Sequence, residues 1–295
     1  MNDSVLVTGA SSGFGRAIAL TLAERGFQVY ATMRDLSRAG PLRQEAAARG
    51  VSLRFDRLDV TDPTSIQPVV RRMVDETGGV YALVNNAGLF LRGYFEDIEE
   101  DEIRAVFETN LFGTMAVTRA VLPHMRAARR GRIVVITSVA GRIGSPSGSV
   151  YSASRFAQEG FAESLRQEVE PFGIYVSLVE PGITKTESWT VDKGAARRSN
   201  DPASPYYPWF KRAEAMFGQV MDSSPITPWD VAEAVYRAIA DPRPRWRYTV
   251  GRRARLVLAL RRYVPEELFC RLYFGLLVRR VTGGEAASAE QGGVA

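Results

Sequence analysis

One cysteine, Cys270, excludes an internal disulfide and a thiolate metal cluster. One histidine, His124, excludes a His-rich zinc site; near the end of a predicted helix, it reads as a surface or capping residue rather than a catalytic one. No apolar run is long enough to span a bilayer, and Met1-Asn2-Asp3 leads directly into an apolar stretch. A chain without a signal peptide, located in the cytoplasm, is therefore expected. Lysine is nearly absent: Lys185, Lys193 and Lys211 are the only three. The net charge of +5 and the pI near 9.5 thus come from arginine. The arginines are spread along the chain as far as residue 252 and show no interleaving with aromatics. No nucleic-acid partner is expected, and the bulk charge reads as solvated surface.

With 295 residues, 45% of them hydrophobic, the chain can bury a large α/β core. Residues 4–8 form a short apolar run with the pattern of a buried strand. It breaks into Thr8-Gly9-Ala10-Ser11-Ser12-Gly13-Phe14-Gly15, and a helical pattern follows over 16–25. Strand, glycine-rich turn and helix N-terminus together receive a pyrophosphate. Gly9 permits a tight turn, Gly13 a close approach of backbone to phosphate, and Gly15 close helix packing. A second strand is predicted over 28–33, and Arg34 and Asp35 follow it. A carboxylate there would accept from a ribose 2′-OH, whereas an arginine pairs with a 2′-phosphate. With Ser11 and Ser12 in the turn, Arg34 favours NADP(H) over NAD(H); the alternative leaves Arg34 pointing to solvent.

Further strands are predicted over 51–58, 80–84, 131–136, 174–179 and 246–250. Asp59-Val60-Thr61-Asp62 closes one of them and opens a helix, with Asp62 or Thr61 as N-cap. Two helical patterns over 97–126 flank Asn110, a residue that marks a local distortion in mid-helix. The faces carrying Leu111, Met115, Thr118 and Leu122 read as core or subunit interface. Ser138 ends a strand, where ligands of such sheets bind. Thirteen residues later, Tyr151 opens a helix reaching about residue 172 and shares a face with Arg155. Residues 187–227 read as a long loop with Trp189, Tyr206, Tyr207, Trp209, Phe210 and Phe217. Such a loop is a candidate lid over a bulky apolar substrate, or packs its aromatics on the body or another subunit. A helix is predicted from residue 228 to about 240. Residues 251–281 carry two arginine-flanked apolar helical stretches around Pro265, fitting a membrane surface, the pocket or a second subunit. Residues 282–295 read as disordered.

The order Thr-Gly-x-x-x-Gly-x-Gly, the run Asn85-Asn86-Ala87-Gly88 and Tyr151-Ser152-Ala153-Ser154, thirteen residues after Ser138, resemble the short-chain dehydrogenase/reductase family. The stretch 30–36 looks like that of the branch holding estradiol 17β-dehydrogenases and some retinol dehydrogenases. The resemblance implies a single Rossmann-like domain, a doubly wound parallel sheet, over residues 1–250, with a helical C-terminal extension. It implies a cofactor site of Gly9, Ser11, Ser12, Gly13, Phe14, Gly15, Arg34, Asp59, Val60, Asn86, Ala87, Gly88, Tyr151, Arg155, Pro181, Gly182, Ile183 and Thr186. Asp59 and Val60 would meet the adenine, although Asp59 also reads as a mere cap. By the same resemblance Ser138 binds the substrate oxygen, Tyr151 is the acid or base, and the Asn110 backbone holds a water. Homodimers or homotetramers are implied as well.

The departure is Arg155, where the family has lysine. A guanidinium supplies fixed charge that favours a phenolate but does not give up its proton in proteins. Three readings stand: an NADP(H)-dependent oxidoreductase that reduces a ketone, or oxidises the alcohol, of a bulky lipophilic or cyclic substrate; a non-redox acid–base enzyme using Tyr151; and a cofactor-binding protein without catalysis. No metal is expected.

Overall fold

Along the first strand, Val5 and Val7 join one apolar cluster and Leu6 joins another on the opposite side, and all three are fully buried. That two-sided burial is the mark of a parallel sheet covered by helices on both faces. Residues 3–184 and 194–283 are described by the structure, a computed structural model. The strands are β1 (Ser4–Val7), β2 (Gln28–Met33), β3 (Leu53–Arg57), β4 (Ala82–Asn85), β5 (Gly131–Ile136), β6 (Ile174–Pro181) and β7 (Arg247–Val250). They pair in parallel in the order β3-β2-β1-β4-β5-β6-β7.

The helices are α1 (Gly13–Glu24), α2 (Gly40–Ala48), α3 (Pro63–Thr77), α4 (Glu100–Phe107), α5 (Gly113–Ala128) and α6 (Ser149–Val169). After these come α7 (Tyr207–Asp222), α8 (Pro228–Ala240), α9 (Arg252–Tyr263), α10 (Glu266–Phe269) and α11 (Gly275–Thr282). Ile18 and Leu22 of α1, Leu42 of α2 and Val231 and Val235 of α8 cover one sheet face. Val70 and Met73 of α3, Val117 and Val121 of α5 and Leu165 of α6 cover the other. Each such side chain contributes about 1.5–3 kcal/mol on burial. The strand order reverses between β1 and β4, so a crevice opens at their carboxyl ends, where ligands of doubly wound sheets bind.

Local signals set the element ends. Asp62, not Thr61, caps α3 by accepting from the Thr64 N–H at 3.0 Å, and Gly78 at φ 79° ends the helix. A reciprocal Thr227–Asp230 capping box starts α8 just before Pro228. The distortion expected at Asn110 is a π-helical turn, Glu108–Phe112, joining α4 to α5.

Three expectations need correction. The first helix starts at Gly13 rather than residue 16, because Ser12 already has the extended backbone of an N-cap. The segment 187–227 is no plain loop: it holds a 3-10 turn, Arg197–Asn200, and the sixteen-residue α7, whose buried Phe210, Ala213 and Met221 drive it onto the body. Its abundant aromatics hid that periodicity. The extension stays helical through Thr282, which is buried; residues 284–295 lie outside the described residues. Among the described residues no helix is long and apolar enough to cross a membrane.

Candidate active site

Ser12, at the N-cap of α1, forms no side-chain cap, and no acidic residue stands in the first turn. The first-turn N–H groups and the positive end of the helix dipole are thus left for an anion. Gly9 and Gly13 take φ of 66° and 55°, the left-handed region that glycine enters freely. A Cβ on Gly15 would lie 2.2 Å from the Gly9 carbonyl oxygen and 2.6 Å from Asn86 Nδ2. Gly15 therefore lets the helix close on the turn and on Asn86. Asn86 Nδ2 donates to the Thr8 and Gly9 carbonyls at 2.9 and 3.1 Å, and Thr8 Oγ1 accepts from the Asn86 and Ala87 N–H groups, both at 3.0 Å. Thr8 was not among the expected site residues, yet it ties the carboxyl ends of β1 and β4 together. Its place at the head of the glycine motif was the available signal. The shape fits a pyrophosphate in the crevice, with half-buried Ser11, Ser12 and Phe14 around it.

At the adenosine end, Arg34 is exposed and enters no hydrogen bond or ion pair among the described residues. Asp35 turns instead to Ser37, accepting its N–H at 2.9 Å, and hydrogen bonds from Ser37 hold its carboxyl below the usual carboxylate range. Asp59 accepts the N–H and hydroxyl of Thr61 at 3.0 and 2.7 Å, so it shapes the turn after β3 rather than capping α3. Val60 packs on Gly113, where a Cβ would meet it at 2.6 Å. On the far side, the Gly182 N–H donates to Val250 and the Ile183 carbonyl accepts the Ser224 hydroxyl at 2.7 Å. Pro181 closes β6 directly before them. Thr186 and Trp189 lie outside the described residues.

Ser138 leaves β5 into a 3-10 turn, Val139–Gly141, and its Oγ accepts from the Ala140 N–H at 3.1 Å. That turn packs on α6: a Cβ on Gly141 would lie 3.1 Å from the Arg155 carbonyl oxygen. Tyr151 stands on α6 with its ring between two neighbours. Phe90 meets it edge-on with centroids 4.6 Å apart, and the Arg155 guanidinium carbon lies 5.0 Å from its centroid.

Arg155 is buried and turned inward. Its Nη1 donates to the Ile136 carbonyl at 3.0 Å and to Gln158 Oε1 at 2.7 Å, while its Nε is buried without a partner. Its Nη2 lies beneath Gly88, where a Cβ would be 2.8 Å away. No carboxylate pairs with it among the described residues, so the site keeps an uncompensated positive charge. At Asn110, whose backbone the resemblance gives a water, the carbonyl has two side-chain donors. Its carbonyl accepts from Gln158 Nε2 at 2.5 Å and Thr114 Oγ1 at 2.7 Å, and its side chain grips both backbone groups of Leu89 and the Ser154 hydroxyl. Gln158 went unnoticed in the sequence, although its place one helical turn beyond Arg155 was visible.

Two further clusters frame the site, and they correct the reading of arginine as solvated surface: Arg92, Arg132 and Arg155 are all buried. Arg92 forms a two-pronged ion pair with Glu214 of α7 at 2.7 and 2.8 Å, and its backbone pairs with Gly194 and Ala196. Beside it Tyr94 stacks on Tyr206 at 5.0 Å and meets Trp209, so these two aromatics pack α7 and the residues before it onto the body. Under the site, Arg247 bridges the buried Glu159 and Glu180. Glu159 also accepts from Thr137 Oγ1 at 2.8 Å, and burial pushes its carboxyl above the usual range.

A doubly wound sheet with a glycine-turn phosphate cradle at its switch point defines a dinucleotide-binding fold. Residues 3–195 match the family model for short chain dehydrogenases. The chain is 36% identical over 295 residues to 17-beta-hydroxysteroid dehydrogenase type 1 of Homo sapiens, covering 98% of this chain and 88% of that one. Among solved structures, a short-chain dehydrogenase from Streptomyces avermitilis superposes with a TM-score of 0.78 at 35% identity, covering 95% of this chain and 98% of its own. A metagenomic short-chain oxidoreductase in complex with NADP gives a TM-score of 0.66 at 27% identity, covering 84% and 96%. The chain belongs to the short-chain dehydrogenase family, and its crevice is built for a nicotinamide cofactor.

Proposed function

We propose that this protein is an NADP(H)-dependent oxidoreductase that reduces a ketone, or oxidises the corresponding alcohol, on a bulky lipophilic or cyclic substrate. The carrying observation is the Tyr151 ring, set between the Phe90 edge and the Arg155 guanidinium. When bound, the nicotinamide supplies or takes the hydride. The Ser138 hydroxyl hydrogen-bonds the substrate oxygen, and the Tyr151 hydroxyl gives that oxygen its proton in reduction and removes it in oxidation. Arg155 cannot exchange a proton, so its part is that of a fixed cation for anionic cofactor groups.

Exposed, unpaired Arg34 supports NADP(H), because it is free to meet a 2′-phosphate. The apolar Phe90 next to Tyr151 supports a ring-bearing substrate, as does the likeness to a steroid dehydrogenase. Exposed Phe112 and Phe156, on the π turn and on α6, support a homodimer or homotetramer built on the α5 and α6 side, checked by light scattering of the eluting protein.

The test is NADPH consumption with a panel of steroid, aromatic and aliphatic ketones by the wild type, Tyr151→Phe and Arg155→Lys. Turnover of a cyclic ketone that disappears in Tyr151→Phe is the expected result. Tight NADPH binding with turnover only in Arg155→Lys would overturn it and leave a cofactor-binding protein.

A further inference from the structure

The chain's positive charge is concentrated at one end. Residues 252–280 hold eight arginines and two glutamates, a balance of +6. The whole chain carries +5, so everything outside this stretch is one charge negative. The charged segment is also where large apolar side chains stand in water. Leu256, Leu260 and Tyr263 are 61%, 43% and 78% exposed, and Leu268, Leu272 and Leu276 are 46%, 61% and 51% exposed.

Both sets have helical spacing. The first recurs at i, i+4 and i+7 along α9, and the second at i, i+4 and i+8 from α10 into α11, so each forms a stripe. Neither is a leftover of core packing, because the extension has its own inward side. Phe269 is buried, stacks on Tyr273 at 5.0 Å and meets Phe274 edge-on, while Ala254 and Val281 face the body. The two arms are tied across Pro265 by the Arg261–Glu266 pair at 2.6 Å. Arg252, Arg253, Arg255, Arg262, Arg279 and Arg280 remain exposed around the stripes.

We propose that this helical extension docks the protein on an anionic lipid surface. The leucine stripes enter the boundary between headgroups and acyl chains while the arginines meet lipid phosphates. Charge selects this occupant over a second copy of the chain. A two-fold contact sets a patch against itself, which would press the same arginines together. A neutral apolar partner would leave the arginines unanswered. An anionic bilayer answers both features.

The docked segment lies against Gly182, expected in the cofactor site, and against α7. Ala254 packs on Gly182, where a Cβ would meet it at 3.1 Å, and α11 packs on α7, with Arg212 donating to the Val281 carbonyl at 3.4 Å. On the proposed function, a lipophilic substrate dissolved in the bilayer would reach the lid without crossing bulk water; the docking itself does not depend on that function.

The experiment is sedimentation of the full-length protein with vesicles of phosphatidylcholine alone and of phosphatidylcholine with about one-third phosphatidylserine, at low and high salt. Binding to the anionic vesicles only, weakened at high salt, is expected. Leu256→Glu/Leu272→Glu and Arg253→Glu/Arg279→Glu should each weaken it about tenfold or more while melting at the wild-type temperature. Equal binding to both vesicle types, or none to either, overturns the proposal. So does a smaller oligomer in the leucine variant, which would make the face a protein–protein contact. Since no substrate is present, a failure here is independent of any failure to find a reducible ketone.

Discussion

Gln158 Oε1 accepts a 2.7 Å hydrogen bond from Arg155 Nη1, and Gln158 Nε2 donates at 2.5 Å to the Asn110 carbonyl and at 3.0 Å to Thr114 Oγ1. One amide thus holds the guanidinium to the π turn, and every partner is buried. Gln158→Leu strands an Arg155 N–H and leaves the Asn110 carbonyl with the Thr114 hydroxyl as its remaining side-chain donor. A loss of about 2–4 kcal/mol in unfolding free energy is expected, with kcat falling more than the KM for cofactor. Gln158→Glu keeps the shape but gives Arg155 a carboxylate. Its kcat should fall while the melting temperature changes less than in Gln158→Leu. An unchanged kcat in both would show that Gln158 merely fills space.

Arg34 stands exposed after β2 while Asp35 is occupied by Ser37. Removing a charge-assisted contact worth about 1.5–3 kcal/mol should raise the KM for NADPH roughly 10- to 150-fold in Arg34→Ala. The KM for NADH should stay within about threefold. Equal weakening of both cofactors would show that Arg34 does not read the 2′-phosphate.

Arg247 holds two buried carboxylates, Glu159 and Glu180, beneath the site. Breaking such a cluster by removing the cation costs about 3–5 kcal/mol, so Arg247→Leu should melt well below the wild type at pH 8. Burial raises the Glu159 carboxyl above its ordinary value of 4.5. A carboxyl raised on folding binds its proton more tightly in the native state. Its contribution to stability is therefore complete below about 4.5 and is lost as pH rises through the raised value. The deficit of Arg247→Leu should shrink as pH falls from 8 toward 5, read by thermal melts across that range. A deficit independent of pH would exclude Glu159 as its source.

Arg92 and Glu214 clamp α7 to the segment after β4. Arg92→Met leaves Glu214 without its partner, and the expected result is a looser lid. Cleavage within residues 194–227 by a dilute protease should speed up about tenfold or more, and the KM for a bulky substrate should rise while that for NADPH holds. Arg92→Met combined with Glu214→Leu should recover part of the loss, because no lone charge remains. Cleavage at the wild-type rate in Arg92→Met would mean the stacked Tyr94, Tyr206 and Trp209 hold the lid by themselves.

The features legible in the sequence are those whose physics is local. Gly9, Gly13 and Gly15 announce a turn that only glycine permits, and buried strands announce themselves by unbroken apolar runs such as Val5-Leu6-Val7. Asn110 signals a helix that cannot run straight, and a π turn stands there. Ser138, Tyr151 and Arg155 were readable through their joint spacing, which resembles the family's catalytic segment. The sixteen residues of α7 were not, since their many aromatics mask the period.

By itself the sequence determined the order of strands and helices along the chain and the phosphate-binding turn. Both follow from backbone sterics and from periodicities that span at most a few turns, whereas Ser138, Tyr151 and Arg155 were picked out by the family resemblance. Only the tertiary structure decided what those residues touch. It turned Arg155 inward onto Ile136 and Gln158, set Phe90 edge-on to Tyr151, joined Arg92 to Glu214 across 122 residues, and left the leucines of the extension facing water. Such pairings depend on which distant segments the folded sheet brings side by side, and spacing along the chain carries no record of that distance.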